Sequence, residues 1–230
     1  MKVILLISLY LILQVSSYKV LGIDLSGWDD TVYWDTLKNE VKFVILRAGY
    51  GQGGSDSVYE SYYKKCKQYG LPVGAYWYSK ATTVKAANQE AQYFLNKLRG
   101  KQFEYPVYFD VEDKAMLATG KENVSNMVKE FCTILEKNGY YCGLYSSKYY
   151  LETLFTEEVL SKYDIWLAHY TSSTSYKRHL IWQYTDTGTL KGKPGDCDLN
   201  YCYYDYPKFI KSKHYNGFWL FIKKFNCISG

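Results

Sequence analysis

The sequence is poor in the groups that metal and nucleophile chemistries need. It has three histidines, no Cys-x2-Cys pair and no Cys/His cluster, so a zinc site lacks its usual ligands. No G-x-S-x-G turn is present, and a Ser-His-Asp hydrolase of that type is thereby disfavoured. No Pro-rich linker, low-complexity tract, charge block or solenoid repeat divides the chain, which points to a single domain. The longest apolar run, "VILLISLYLIL", is too short to span a bilayer, as is the Phe218 to Ile222 run near the other end.

That first run follows Met1 and Lys2 and precedes the small residues Ser16 and Ser17, the pattern of a secretory signal, so residues 1–17 are expected to be removed during export. Six cysteines (Cys66, Cys132, Cys142, Cys197, Cys202, Cys227) follow it. In an exported chain an even count predicts disulfides, although six cysteines allow about fifteen pairings. The formal charge of +5 falls to +4 without Lys2, and the basic residues are scattered. This mild bias suits an anionic surface such as a bacterial wall and gives nucleic-acid binding little support. Of the 27 Tyr, 6 Trp and 10 Phe many must be core, but aromatic rings are also the usual platforms for sugar faces, so their number is compatible with carbohydrate work without showing it.

Short β-type runs alternate with helical stretches along the chain. "KVLGIDLSG", "KFVILRAGYG", "LPVGAYWYS", "PVYFDVED" and "YYCGLYSS" read as strands separated by the helical "TVYWDTLKN", "SVYESYYKKCKQYG", "TTVKAANQEAQYFLNKLRG" and "KENVSNMVKEFCTILEKNG". "KYYLETLFTEEVLSKY" reads as one further helical stretch, and the strands "DIWLAHY", "HLIWQYT" and "CDLNYCYY" follow with less helix between them. This order fits an α/β barrel or a doubly wound sheet. The strand ends favour the barrel. Asp24, Arg47, Tyr78, Ser79, Asp110, Glu112, Tyr145 and Gln183 all fall at C-terminal strand ends, which a barrel gathers around one mouth and an open sheet does not.

Within "YPVYFDVED", residues 105–113, alternation puts Val107, Phe109 and Val111 on one face and Tyr108, Asp110 and Glu112 on the other. Paired carboxyls suit acetal hydrolysis, which needs a proton for the leaving oxygen and negative charge near a developing oxocarbenium ion. Crowded acids cannot both ionise cheaply, and Glu112 is the better proton donor by reach and intrinsic pKa. Asp113 is read as a loop residue. Asp24 and Asp198 lie at the ends of the first and last strands, which are neighbours in a closed barrel. Three other readings stay open. The D-x-E can be a strand-end cap with a salt bridge, the four acids can hold Mg²⁺ or Ca²⁺, or the barrel can bind sugar without cleaving it.

Taken in order, "GIDLSGW", "FVILRAGYG", "GAYWYS", "PVYFDVED", "GLYSS", "IWLAHY" and "IWQYTDTGTLKGKPGDCDLNYC" resemble the glycoside hydrolase family 25 lysozymes from about Val20 to Tyr206. The resemblance implies an α/β fold, an irregular (β/α)5(β)3 barrel of TIM type over residues 18–210, followed by a tail of unassigned role at 211–230. It implies cleavage of the β-1,4 bond between N-acetylmuramic acid and N-acetylglucosamine in bacterial peptidoglycan. Glu112 matches the general acid, Asp110 its partner, and Asp24 and Asp198 two further acids. Tyr78, Tyr145, Trp166, Tyr170, Trp182 and Gln183 fall where the family contacts sugar. No cofactor, metal, nucleic acid or stable membrane anchor is implied, and a monomer in a secreted or lysosomal setting is expected. Gly27-Trp28 departs from the family's usual residues, which bears on sugar contact more than on chemistry.

Overall fold

A computed structural model of the chain describes residues 18–29 and 31–219. The expected signal, Cys227 and the apolar end of the tail lie outside them. Nine strands form one sheet: β1 (Val20–Leu25), β2 (Phe43–Tyr50), β3 (Gly54–Ser55), β4 (Val73–Tyr78), β5 (Val107–Asp110), β6 (Cys142–Ser147), β7 (Asp164–Ala168), β8 (His179–Leu190) and β9 (Lys193–Cys202). Pairing of β1 with both β2 and β9 closes eight of them into a barrel, with β3 hung on the end of β2. Between them run the helices α1 (Trp34–Glu40), α2 (Tyr59–Gln68), α3 (Val84–Leu98), α4 (Lys114–Leu117), α5 (Lys121–Lys137), α6 (Lys148–Thr153) and α7 (Glu157–Lys162), and α8 (Tyr206–Ser212) follows β9.

Within the barrel, β1, β2 and β4 to β8 are parallel to one another in sequence, and β9 runs antiparallel to both of its partners, as the appended β3 does to β2. Of the last three strands, β7 and β8 thus keep the parallel direction and β9 alone reverses it. Residues 169–178 return the chain across the barrel without a helix, so β8 stays parallel to β7. The stretch "KYYLETLFTEEVLSKY" also divides into two helices. Phe155 turns into the core at the break, and the amide of Thr156 donates to Ser125 Oγ at 2.9 Å instead of continuing a helical ladder.

Alternation along each barrel strand sorts the core into two layers. Outward-facing Val44, Leu46, Val73, Trp77, Val107, Phe109 and Leu144 pack with helix residues such as Leu37, Phe94, Phe131 and Leu135. Phe109 stacks on Phe131 at 3.9 Å between centroids, and Phe131 on Phe94 at 6.0 Å. Inward-facing Phe43, Ile45, Tyr108, Tyr145, Trp166 and Ile181 fill the lumen, joined from below by Tyr206 and Ile210 of α8. Helix α3 begins at Thr83, whose hydroxyl accepts from Ala86 N, and the chain leaves it through Gly100 at φ +75°, a left-handed value that favours glycine.

Beyond α8, residues 213–219 fold as turns against the barrel's lower end. Asn216, buried at φ +53°, accepts from Tyr141 N, donates to the Tyr105 carbonyl, and makes backbone bonds to Gly139 and Phe103. The five described cysteines are all buried, and no disulfide is present among them, so the expected framework is not seen there. Cys132 and Cys142 come nearest, with sulfurs 2.8 Å apart between α5 and β6.

Phe131 is the ring on which two others stack. Phe131→Ala is expected to destabilise the protein by about 3–5 kcal/mol in urea titration, through lost burial and a cavity. A cost below about 1 kcal/mol would mean that the helix layer closes over the gap.

Candidate active site

The C-terminal ends of the barrel strands open on a cavity of about 390 Å³. Asp24 from β1, Arg47 from β2, Tyr76 and Tyr78 from β4, Asp110 from β5, Tyr145 from β6, Trp166 from β7, Gln183 from β8 and Asp198 from β9 all reach it, with Glu112 just beyond β5. Glu112 follows Asp110 by two residues and faces the same way for the reason set out above. Asp113 does not join them. Its carboxylate caps the short α4, accepting from Ala115 N at 2.9 Å and Met116 N at 3.1 Å.

Asp24 is the most heavily bonded of the acids. Its Oδ2 accepts from Gln183 Nε2 at 2.9 Å and from Asn200 Nδ2 at 2.7 Å. Each amide's oxygen accepts in turn: Gln183 Oε1 from Tyr145 Oη at 2.7 Å and Tyr170 Oη at 2.9 Å, and Asn200 Oδ1 from Trp166 Nε1 at 2.7 Å. These bonds fix which end of each amide is oxygen, because the hydroxyls and the indole act as donors here. Asp110 is in the opposite condition. It is buried, and its Oδ1 has no hydrogen-bond partner among the described residues.

Burial is the largest influence on every one of these acids, and it raises them all. Glu112 is pushed from 4.5 up to about 7. Asp198 reaches about 7 as well, helped by the nearby negative charges of Asp29 and Asp186. Asp110 is held well above the ordinary carboxylate range by burial and then by Glu112 and Asp24, with Arg47 opposing. Asp24 is also raised well above it, by burial and by Asp198, against its two amide donors. The site therefore holds protons near neutral pH that free carboxylates would have lost.

Of the ten residues singled out on sequence, nine line this cavity: Glu112, Asp110, Asp24, Asp198, Tyr78, Tyr145, Trp166, Tyr170 and Gln183. Trp182 does not. It faces the outer layer, donates Nε1 to the His169 carbonyl at 2.8 Å, and packs with Tyr184, Tyr201 and His179. Trp166, 1 % exposed, forms the cavity's floor, and its indole edge is spent on Asn200, so it supports the site more than it offers a face to sugar. Tyr78 and the exposed Tyr170 sit at the rim, as does Trp28 at 83 % exposure.

Sequence reasoning overlooked Asn200, Tyr76, Asp29, Asp186 and Lys193. Asn200 and Tyr76 were within reach, since each lies two residues from an identified site position on the same strand, Asp198 and Tyr78. Asp29, paired with Lys193 at 3.2 Å, comes from the loop after β1, where no periodicity applies, and Lys193 opens β9. Among the described residues, no group of three or more His, Cys, Asp or Glu side chains is disposed to hold a metal ion.

A closed, largely parallel barrel with four carboxyl groups at its C-terminal mouth, two of them raised to about neutrality, is equipped as an acid-catalysed glycosidase. The model of the glycosyl hydrolases family 25 matches residues 23–193, and the chain belongs to that family. It is 27% identical over 183 residues to the autolytic lysozyme of Clostridium acetobutylicum, covering 78% of this chain and 54% of that protein. The CTP1L endolysin superimposes with a TM-score of 0.74 at 25% identity, over 84% of this chain and 69% of the other. A family 25 glycosyl hydrolase from Bacillus anthracis shares the fold with a TM-score of 0.73 at 22% identity, covering 87% of this chain and 95% of that one.

The raised acids carry a stability consequence. The folded state binds more protons than the unfolded chain between about pH 4 and pH 7, so stability is greatest below that window and declines as pH rises through it. Asp110→Asn removes one such group at a position where no donor bonds to Oδ1. It is expected to raise stability at pH 8 by about 1–2 kcal/mol, seen as a Tm gain of about 2–8 °C that shrinks at pH 5. A lower Tm at pH 8 would show that Asp110 is ionised and well solvated. The amide hub gives a second expectation: Asn200→Ala should cost about 2–3 kcal/mol, because it takes one of two donors from the buried Asp24 carboxyl and strands the Trp166 N–H. Calorimetry at pH 5 checks this, and a loss under about 0.5 kcal/mol contradicts it.

Proposed function

We propose that the chain is a muramidase that hydrolyses the β-1,4 bond from N-acetylmuramic acid to N-acetylglucosamine in bacterial peptidoglycan. The observation that carries this reading is the pairing of a half-buried Glu112, raised to about 7, with the buried Asp110 in one cavity at the barrel mouth. Family membership and the likeness to an autolytic lysozyme support the bond and the substrate.

Glu112, protonated at neutral pH and below, donates its proton to the glycosidic oxygen as the C1–O bond breaks. The carbonyl oxygen of the muramic acid 2-acetamido group attacks C1 from the opposite face, and the unbonded Oδ1 of Asp110 accepts a hydrogen bond from the amide N–H, favouring the cyclised form. Water then adds to C1 and gives a proton to the Glu112 carboxylate. The ring reopens with retained configuration, and the enzyme is restored. A direct attack by Asp110 on C1 is the alternative, and it places the same demand on Glu112. Asp24 acts through the amides it fixes, holding Tyr145 and Tyr170 in place around the cavity.

Export, followed by action outside the cell or in a lysosome, is part of the proposal. It is supported by the apolar run after Lys2, the +5 charge and the expected anionic wall. Clearing of suspended bacterial walls, followed as turbidity, tests the enzyme reading. Wild type should clear them with or without a chelator, and Glu112→Gln should lower kcat about 10²–10⁴-fold. The rate should fall as pH rises through about 7, where Glu112 and Asp198 lose their protons. A wild type that leaves walls turbid, or a variant that clears them equally well, removes the reading and leaves a sugar-binding barrel.

A further inference from the structure

A second cavity of about 520 Å³ adjoins the catalytic one and shares Trp28, Arg47 and Tyr78 with it. Its remaining wall comes from the end of the β2–β3 hairpin and from the loop after β4, which contribute Tyr50, Ser55 and Lys80, together with Asp56, Asp113 and residues beside them. The glycines of "GYGQGG" match the spacing of a dinucleotide-binding turn, yet here they turn the β2–β3 hairpin rather than open a helix.

The charges lining this cavity are not equivalent. Both acids are occupied by the fold: Asp113 caps α4, and Asp56 Oδ2 accepts from Arg47 Nε at 2.7 Å and Gly27 N at 2.9 Å while its Oδ1 accepts from Val58 N. Both cations keep unused donors. Arg47 spends only Nε, leaving its Nη groups without a protein acceptor among the described residues, and it is flanked by the rings of Trp28 and Tyr50 at 6.0 and 5.8 Å. The ammonium of Lys80 makes no ion pair among the described residues and lies 5.5 Å from the Tyr50 ring centre. Its backbone is pinned, since Lys80 N donates to the buried Glu90 at 3.1 Å and Gly51 N donates to the Tyr78 carbonyl at 2.9 Å. A guanidinium with a free fork and a tethered lysine, set on aromatic faces, is a fitting receptor for a carboxylate.

We propose that this cavity binds a carboxylate-bearing peptide attached to the sugar in the neighbouring cleft. Arg47 and Lys80 would thus set a preference for peptide-substituted over bare glycan. The inference rests on the muramidase reading for the sugar and adds the acidic substituent. Muramic acid carries its peptide on a lactyl ether, and the shared wall of Trp28, Arg47 and Tyr78 makes the two cavities continuous enough for one ligand to enter both.

Equilibrium binding tests it without turnover. The two probes are the disaccharide N-acetylglucosaminyl-N-acetylmuramic acid bearing a tetrapeptide, whose internal bond is not the scissile one, and the same disaccharide with the peptide absent and its lactyl carboxyl capped as a neutral methylamide. Titration calorimetry on the full chain at low and high salt should show the wild type binding the peptide form about tenfold more tightly, with the preference shrinking in salt. Lys80→Ala should reduce the preference about threefold, and Lys80→Glu should abolish it. Equal affinity of the wild type for both probes, or a preference that survives Lys80→Glu, overturns the inference. Either result is independent of wall clearing, so the muramidase reading stands or falls separately.

Discussion

A carboxyl group pointing into a closed barrel needs donors to hold it, and the position of Asp24 dictates where they come from. Strand β1 is clasped between β2 and β9, with Gly22 opposite Asn200 and Asn200 opposite Gln183 in the ladder. That register puts both amides within reach of one carboxyl oxygen. Gly22 permits the clasp, since any Cβ there would sit 2.3 Å from the Phe43 ring. The two amides then orient Tyr145, Tyr170 and Trp166 around the site. Shifting β9 by one residue would turn Asn200 outward and leave Asp24 with a single partner.

Gathering four acids in one cavity works against the fold and in favour of the chemistry. Each is less easily ionised than in water, and the fold tolerates this because the helices and aromatic layers outside the barrel supply stability elsewhere. Arg47 moderates the arrangement from the boundary between the two cavities, its charge opposing the rise of Asp110 while Asp56 holds its Nε. A single guanidinium thus borders both cavities.

Much of this was legible in the chain. The alternation in "YPVYFDVED" separates Phe109, stacked against α5, from Asp110 in the site, because period two is enforced wherever both faces of a strand are covered. The convergence of strand ends followed from barrel closure alone. Trp182 was misplaced despite that logic: it is adjacent to Gln183 on β8, and neighbours on a strand cannot both face the lumen. Family likeness had overridden alternation there. The break between α6 and α7 was not legible, since it depends on Ser125, distant in sequence, taking the Thr156 amide. The Asp29–Lys193 pair likewise joins the loop after β1 to the first residue of β9, 164 positions on by numbering (193 − 29), beyond any local pattern.

The closing contacts of the barrel lie at opposite ends of the chain, β1 at 20–25 and β9 at 193–202, with Asn216 fastening the lower rim later still. During synthesis β1 leaves the ribosome first and waits with one edge uncovered until nearly everything else has emerged. Asp24 has neither of its amide donors until then. A nascent or prematurely terminated chain consequently holds Asp110 and Glu112 without the amides that secure Asp24, so the site is completed only when the chain itself is nearly finished.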